Sequence, residues 1–280
     1  MKCFLLVVFS TVFFLVGCEP QVQPPSLTDD TEPLEISQAS QEPQSTPLQE
    51  CRLTMGFDAW EPYQYIGVGN VVTGLDVEIV HAIAETMGCS VTKQQATWVE
   101  LLNALRNGEV DFVLGASMTE DRQQYAHFSD PYREERFILY VRRYEGNLPY
   151  QTITEFVEAG HKLGIVNEYF YGDEITSLYT NDSYHNQFVG AIISEMNMAR
   201  LIDEEIDGFL EDSFVGASIL RRKGLDQFIE PHGISLGSSE VYVMFSKESV
   251  DEATVQAFNQ GLAEIKASGR YQKIIEKYDH

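Results

Sequence analysis

Between residues 52 and 115 the apolar positions switch repeatedly between a period of two and a period near 3.6. Arg52 to Asp58 alternates, with Leu53, Met55 and Phe57 on one face, which predicts a strand. Asp76 to Met87 sets Val80, Ile83, Ala84 and Met87 at i, i+3, i+4 and i+7, the stripe of an amphipathic helix. Cys89 to Gln95 then predicts a strand, Trp98 to Asn107 a helix and Val110 to Gly115 a strand. Such a β-α-β-α-β series implies a parallel sheet with right-handed crossovers. A strand over Arg136 to Arg143 opens a second set. Thr152 with Glu155 predicts a capping box on a short helix, His161 to Val166 a strand, and Glu195 to Ile202 a helix capped by Ser194. Asp207 to Glu211 predicts a strand, Phe214 to Leu220 a helix and Glu240 to Ser246 a strand. Ser249 with Glu252 predicts a second capping box, on a long helix carrying Val255, Phe258, Leu262 and Ile265 along one face. Two α/β sets suggest two similar lobes.

The N-terminal fifty residues follow another pattern. Lys2 precedes an apolar run from Phe4 to Val16, shorter than the roughly 20 residues of a membrane span, so residues 1–17 are expected to be a signal peptide. The run ends in Leu15-Val16-Gly17-Cys18, which resembles the bacterial lipoprotein cleavage box; Cys18 would then be the acylated first residue. An ordinary signal peptide with an incidental cysteine is the alternative. Residues 18–50 hold six of the ten prolines, seven acids, no base and no aromatic residue, and are expected to form a disordered tether. With Cys3 cleaved off and Cys18 acylated, Cys51 and Cys89 remain. They open neighbouring predicted strands and either form a disulfide in an oxidising compartment or stay as two free thiols.

The formal net charge of -24 repels phosphate backbones and argues against a nucleic-acid partner. Six scattered histidines lack metal-ligand spacing, and neither a nucleophile elbow nor a phosphate loop occurs. No metal or cofactor is expected. The chemistry concentrates instead in Gly115-Ala116-Ser117-Met118-Thr119-Glu120-Asp121-Arg122, followed by Phe128-Ser129-Asp130-Pro131-Tyr132. A planar guanidinium where a strand gives way to a helix start suits a bidentate grip on a carboxylate.

These motifs, with Gly74-Leu75-Asp76-Val77-Glu78-Ile79 and the closing Gly269-Arg270-Tyr271-Gln272-Lys273-Ile274-Ile275, resemble the family 3 extracellular solute-binding proteins. The resemblance covers Cys51 to the C-terminus. It implies an α/β, two-lobed periplasmic-binding-protein fold of type II, each lobe a mostly parallel sheet flanked by helices. The solute-binding domain would span 51–280, with lobe 1 formed by 51–132 and 242–280, lobe 2 by 137–236, and a two-strand hinge by 133–136 and 237–241. The implied function is a monomeric, lipid-anchored receptor at the periplasmic or outer face of the membrane. It would close on an amino acid or similar zwitterion and deliver it to an ABC permease.

The resemblance also assigns roles. Arg122 would hold the α-carboxylate and Asp212 of lobe 2 would meet the α-ammonium. Ser117 and the backbone of Gly115 would bond the ligand's main-chain atoms. Trp60 and Trp98 would wall the side-chain pocket, with Asp58 pointing into it. One departure stands out. Where the family has a Gly-Thr-Thr-like turn, this chain runs Asn167-Glu168-Tyr169-Phe170, and bulky residues cannot all take glycine's backbone geometry. Tyr169 and Phe170 are expected to add aromatic walls instead. Two other functions share the fold: a cyclohexadienyl dehydratase, for which Glu61, Glu168 or Glu211 would supply the acid, and a ligand-sensing regulatory subunit.

Overall fold

A computed structural model of the chain describes residues 50–278. The expected signal peptide, Cys18 and the tether up to residue 49 lie outside the described residues. β1 (Arg52–Phe57) leads through a small hairpin of β2 (Tyr65–Ile66) and β3 (Val72–Thr73) to α1 (Leu75–Met87), β4 (Ser90–Gln95), α2 (Trp98–Arg106) and β5 (Phe112–Ala116). Next come α3 (Glu120–Tyr125), β6 (Ala126–Phe128), β7 (Arg133–Glu135), β8 (Phe137–Arg142), α4 (Ile153–Glu158) and β9 (Leu163–Val166). Then α5 (Asp173–Tyr179), β10 (Phe188–Ala191), α6 (Ser194–Ile202), β11 (Gly208–Asp212), α7 (Ser213–Lys223) and β12 (Ile229–Ser235) follow. β13 (Ser239–Ser246), α8 (Glu252–Ala267) and α9 (Arg270–Ile275) close the chain.

Two five-strand paths organise these elements, β4-β1-β5-β13-β6 and β10-β9-β11-β8-β12. In each, four strands share one direction and a single strand opposes them, β13 in the first and β8 in the second. Those two strands bring the chain into a sheet from the other lobe, so they enter from the opposite end. β7 pairs antiparallel with the start of β13, Glu135 facing Ser239, and this ladder carries the crossing between the sheets.

Local chemistry explains several boundaries. Gly88 ends α1 in the left-handed region, its N–H bonding Ala84 and Glu85 carbonyls. Thr97 and Glu100 form a reciprocal capping box on α2. Asp251, rather than Ser249, caps α8 by accepting the Thr254 N–H, because Ser249 is used in the turn where Val250 N–H bonds Ser246 C=O. Ser194 is the first residue of α6 and not its cap, which falls at Ile193. Thr152 does cap α4, but the Glu155 carboxylate reaches back one residue further, to Gln151 N–H. Thr152 and Glu155 therefore do not close a reciprocal box.

The largest hydrophobic cluster runs from Met55, Val80 and Phe245 of the first sheet's packing to Phe209, Met198 and Leu220 in the second lobe. A second cluster lies under α4 and α5, a third under α2. Cys51 and Cys89 are joined by a disulfide that staples the starts of β1 and β4, with Cα atoms 4.5 Å apart. Closing a loop of 38 residues restricts the unfolded chain by roughly 4 kcal/mol in the chain-entropy model. A chain starting at Gln49 should titrate no free thiol when denatured without reductant, and Cys89→Ser should lower its urea midpoint by an amount approaching that figure. Two titratable thiols would contradict the bridge.

Candidate functional site

The carboxyl ends of the co-directed strands of both sheets meet at one cleft, the place where open α/β sheets present ligand-binding loops. Asp58 follows β1, Trp98 follows β4, Gly115 and Ser117 end β5, and Asn167 to Phe170 follow β9. Eight of the nine residues expected at a ligand site line a single cavity: Asp58, Trp60, Trp98, Gly115, Ser117, Arg122, Tyr169 and Phe170. Gln64, Leu114, Glu135 and Phe137 complete its walls, which surround about 380 Å³ of atom-free space, counting the mouth open to solvent. Gly115 has a φ of +71°, and a Cβ there would lie 3.2 Å from the Trp60 ring, so the indole packs against bare backbone.

Arg122 sits in α3, whose first turn Thr119 caps by accepting the Arg122 N–H. Its side chain is 7% exposed. Nη1 donates to Ser117 C=O at 2.8 Å and Nη2 to Glu168 C=O at 2.7 Å, while the guanidinium carbon lies 5.3 Å from the Trp98 ring centre. Among the described residues no carboxylate lies within 4.0 Å of it. Burial therefore depresses its pKa with no paired anion to oppose the shift fully.

Asp212 is placed differently from expectation. It does not line the cavity. One oxygen accepts the N–H groups of Phe214 and Val215, capping α7, together with the Tyr63 hydroxyl at 3.2 Å; the other accepts the Arg136 N–H. A helix cap and a contact across the cleft therefore occupy it. Besides Asp58, the acid that does line the cavity is Glu135 in the crossing strand β7, 4% exposed and accepting the Ser117 hydroxyl at 3.1 Å. Burial lifts its pKa to about 7. Asp58 is likewise pushed to about 6 by burial. Glu211 lies behind Trp60, whose Nε1 donates to it at 3.3 Å, and burial raises it to about 7; its Oε2 has no hydrogen-bond partner. Gln64 Oε1 is buried without a partner as well. The cavity is thus rich in acceptors, and Arg122 is the only cation among its lining residues.

Arg133 is excluded from that count by its own partner. Its guanidinium grips Asp76 in α1 bidentately, at 2.7 and 3.0 Å, and stacks 3.7 Å from the centre of the Tyr63 ring. This buried pair ties β7 to α1. The same strand shows how Glu135 could have been found. Arg133-Glu134-Glu135-Arg136 reads as a solvated charge run, but alternate residues 133 and 135 are buried because the strand passes between the lobes.

In the turn after β9 one residue takes glycine's geometry and its bulky neighbours do not. Glu168 does adopt glycine's left-handed geometry, with a φ of +64°, a conformation that costs an L-residue roughly 1 kcal/mol. Its carbonyl is thereby aimed at lobe 1, accepting from Arg122 and from Trp98 Nε1 at 3.1 Å. Glu61 pairs with Arg222 across the cleft, and neither Glu61, Glu168 nor Glu211 lines the inner cavity. Among the described residues no cluster of three His, Cys, Asp or Glu side chains could hold a metal, and no helix is long and apolar enough to cross a membrane.

The model of the bacterial extracellular solute-binding proteins, family 3, matches residues 53–279. A probable histidine-binding protein of Neisseria gonorrhoeae is 28% identical over 226 residues, 78% of each chain. ABC transporter arginine-binding protein 1 of Escherichia coli is 23% identical over 238 residues, covering 81% of this chain and 90% of that one. The fold is that of the arginine-, lysine-, histidine-binding protein of Geobacillus stearothermophilus, at a TM-score of 0.69, 20% identity and coverage of 81% and 95%.

Proposed function

The chain belongs to the bacterial extracellular solute-binding proteins of family 3, and from that membership we propose a lipid-anchored receptor for a basic amino acid, which it hands to an ABC permease. Cys18 is the proposed anchor and residues 18–50 the tether. The exported location follows from the family. The receptor reading also suits the cavity better than the dehydratase one, since none of the three acids considered for that chemistry lines it.

One observation carries the proposal: the buried Arg122 guanidinium has only carbonyl partners, in a cavity whose other walls are aromatic and apolar side chains interspersed with acids and acceptors. A solute carboxylate supplies the missing counter-charge, and desolvated bidentate pairing makes the contact strong. The remaining polarity asks for positive charge on the rest of the solute. Glu135 faces the cavity and receives an ammonium or cationic side chain there, with Asp58 on the adjoining wall. Asp212 supports this indirectly, by fixing the start of α7 and holding Tyr63. The names of the histidine- and arginine-binding relatives agree in solute class.

A thermal-shift and calorimetric screen of the twenty amino acids tests the assignment. Arginine, lysine or histidine should stabilise the protein, and aspartate and glutamate should not. Arg122→Ala should cost about 2–5 kcal/mol of binding free energy. Stabilisation by acidic amino acids alone, or unchanged affinity in the variant, would contradict it.

Acidity should separate binding from folding. A cation favours ionised Glu135, so its pKa falls below about 7 on binding. Affinity is then full above pH 7 and drops by up to about tenfold between pH 8 and pH 6. The ligand-free protein runs the other way. Glu135 and Glu211, both raised on folding, contribute stability that is present below the unfolded carboxyl pKa and lost as pH rises through about 7. Glu135→Gln should flatten the affinity profile; a wild-type profile already flat would remove Glu135 from the cation's site.

A further inference from the structure

Tyr169 makes edge contacts with both tryptophans of the chain, its ring centre 6.1 Å from that of Trp60 at 79° and 6.2 Å from that of Trp98 at 87°. It belongs to lobe 2, yet it packs against all three hydrophobic clusters of the molecule. With the ring there, the inner cavity keeps room for only about two water molecules, far less than an amino acid needs. The backbone beside it is committed as well. Glu168 holds φ +64° and places its carbonyl on the Arg122 guanidinium and on Trp98 Nε1. Those are a carboxylate's donor and an aromatic wall of the proposed site. Beyond Arg122, Tyr169 and Phe170 the cleft widens into an outer chamber lined also by Arg106, Tyr125 and Asn167, so these three side chains form the partition between the two.

We propose that Tyr169 is an internal occupant of the solute slot and sets which solutes are admitted, because a solute enters only by displacing its ring from Trp60 and Trp98. The inference rests on the receptor reading and deepens it. A phenol packed edge-on against two indoles is a demanding competitor, and an aliphatic side chain offers those rings nothing better. A flat cation does: a guanidinium or imidazolium takes the indole faces through cation–π attraction and pairs with Glu135. Its carboxylate replaces the Glu168 carbonyl on Arg122, since a bidentate ion pair outcompetes a single bond from the guanidinium to a neutral oxygen. Tyr169 thus converts a merely acidic, aromatic cleft into a filter for planar cationic amino acids, with the outer chamber as the space into which the ring moves.

The test compares wild type, Tyr169→Ala and Tyr169→Phe by calorimetry with L-arginine and L-leucine, and by acrylamide quenching of tryptophan emission without solute. Wild type and Tyr169→Phe should favour arginine strongly. Tyr169→Ala should bind leucine at least tenfold more tightly than wild type does, narrowing the ratio, and its ligand-free tryptophans should be more readily quenched. If Tyr169→Ala instead weakens both solutes with unchanged selectivity, the ring is a wall that touches solute, and the proposal is overturned. Unchanged quenching would likewise show that the ring does not cover the indoles. If no variant binds any amino acid while quenching still rises in Tyr169→Ala, the occupant stands and the receptor reading fails.

Discussion

A guanidinium taken out of water needs a partner, and the Arg122 side chain finds only two carbonyl oxygens. One comes from its own lobe, at Ser117, and the other from across the cleft, at Glu168. That second bond, together with Trp98 Nε1 on the same oxygen, Trp60 on Glu211 and Tyr63 on Asp212, joins the lobes through neutral and ionic contacts. Neutral acceptors leave a buried charge only partly compensated. Under the proposed receptor reading, a carboxylate arriving in the cleft would replace the Glu168 carbonyl on Arg122 and so favour the solute-bound arrangement. The strained turn at Glu168 and the tyrosine beside it are consistent with a surface that holds the cleft shut until something better arrives.

The architecture makes that exchange possible. Each sheet has four strands in one direction and an intruder from the other lobe, so the carboxyl ends of both sheets face a common gap. The crossing strands are braced at one point by the Arg133–Asp76 pair, which is bidentate, fully desolvated and stacked on Tyr63. Glu135 follows two residues later on the same buried face. Cavity polarity and interlobe connection are consequently written into one short segment, and the global excess of acid on the chain says little about the solute by comparison.

Much of this was legible in the sequence where periodicity is long or a motif is specific. The stripe of α1, the alternation of β1 and the Phe128-Ser129-Asp130-Pro131-Tyr132 segment all locate elements and cleft. What was illegible depended on neighbours far away in sequence. β10 is only the four residues Phe188-Val189-Gly190-Ala191, and β12 carries Glu230-Pro231-His232-Gly233; β9 and β8 supply the pairing that makes them strands. Asp212 reads from the resemblance as a binder, yet in this conformation two cap N–H groups, the Tyr63 hydroxyl and the Arg136 N–H occupy it. Glu135 hides in a charge run whose burial arises only when two lobes close on it. Glu168 takes a glycine's conformation because its carbonyl is held by two donors from the other lobe.

The carboxylate-for-carbonyl exchange at Arg122 can be isolated by removing one group from the solute. Calorimetric titration of the amino acid that binds best, beside the amine that differs from it only by loss of the carboxylate, measures that exchange directly. The account predicts that the amine binds at least about thirtyfold more weakly, the lower end of what a desolvated charge pair supplies. Equal affinity of the two compounds would mean that Arg122 does not hold the solute, and the central claim would fall.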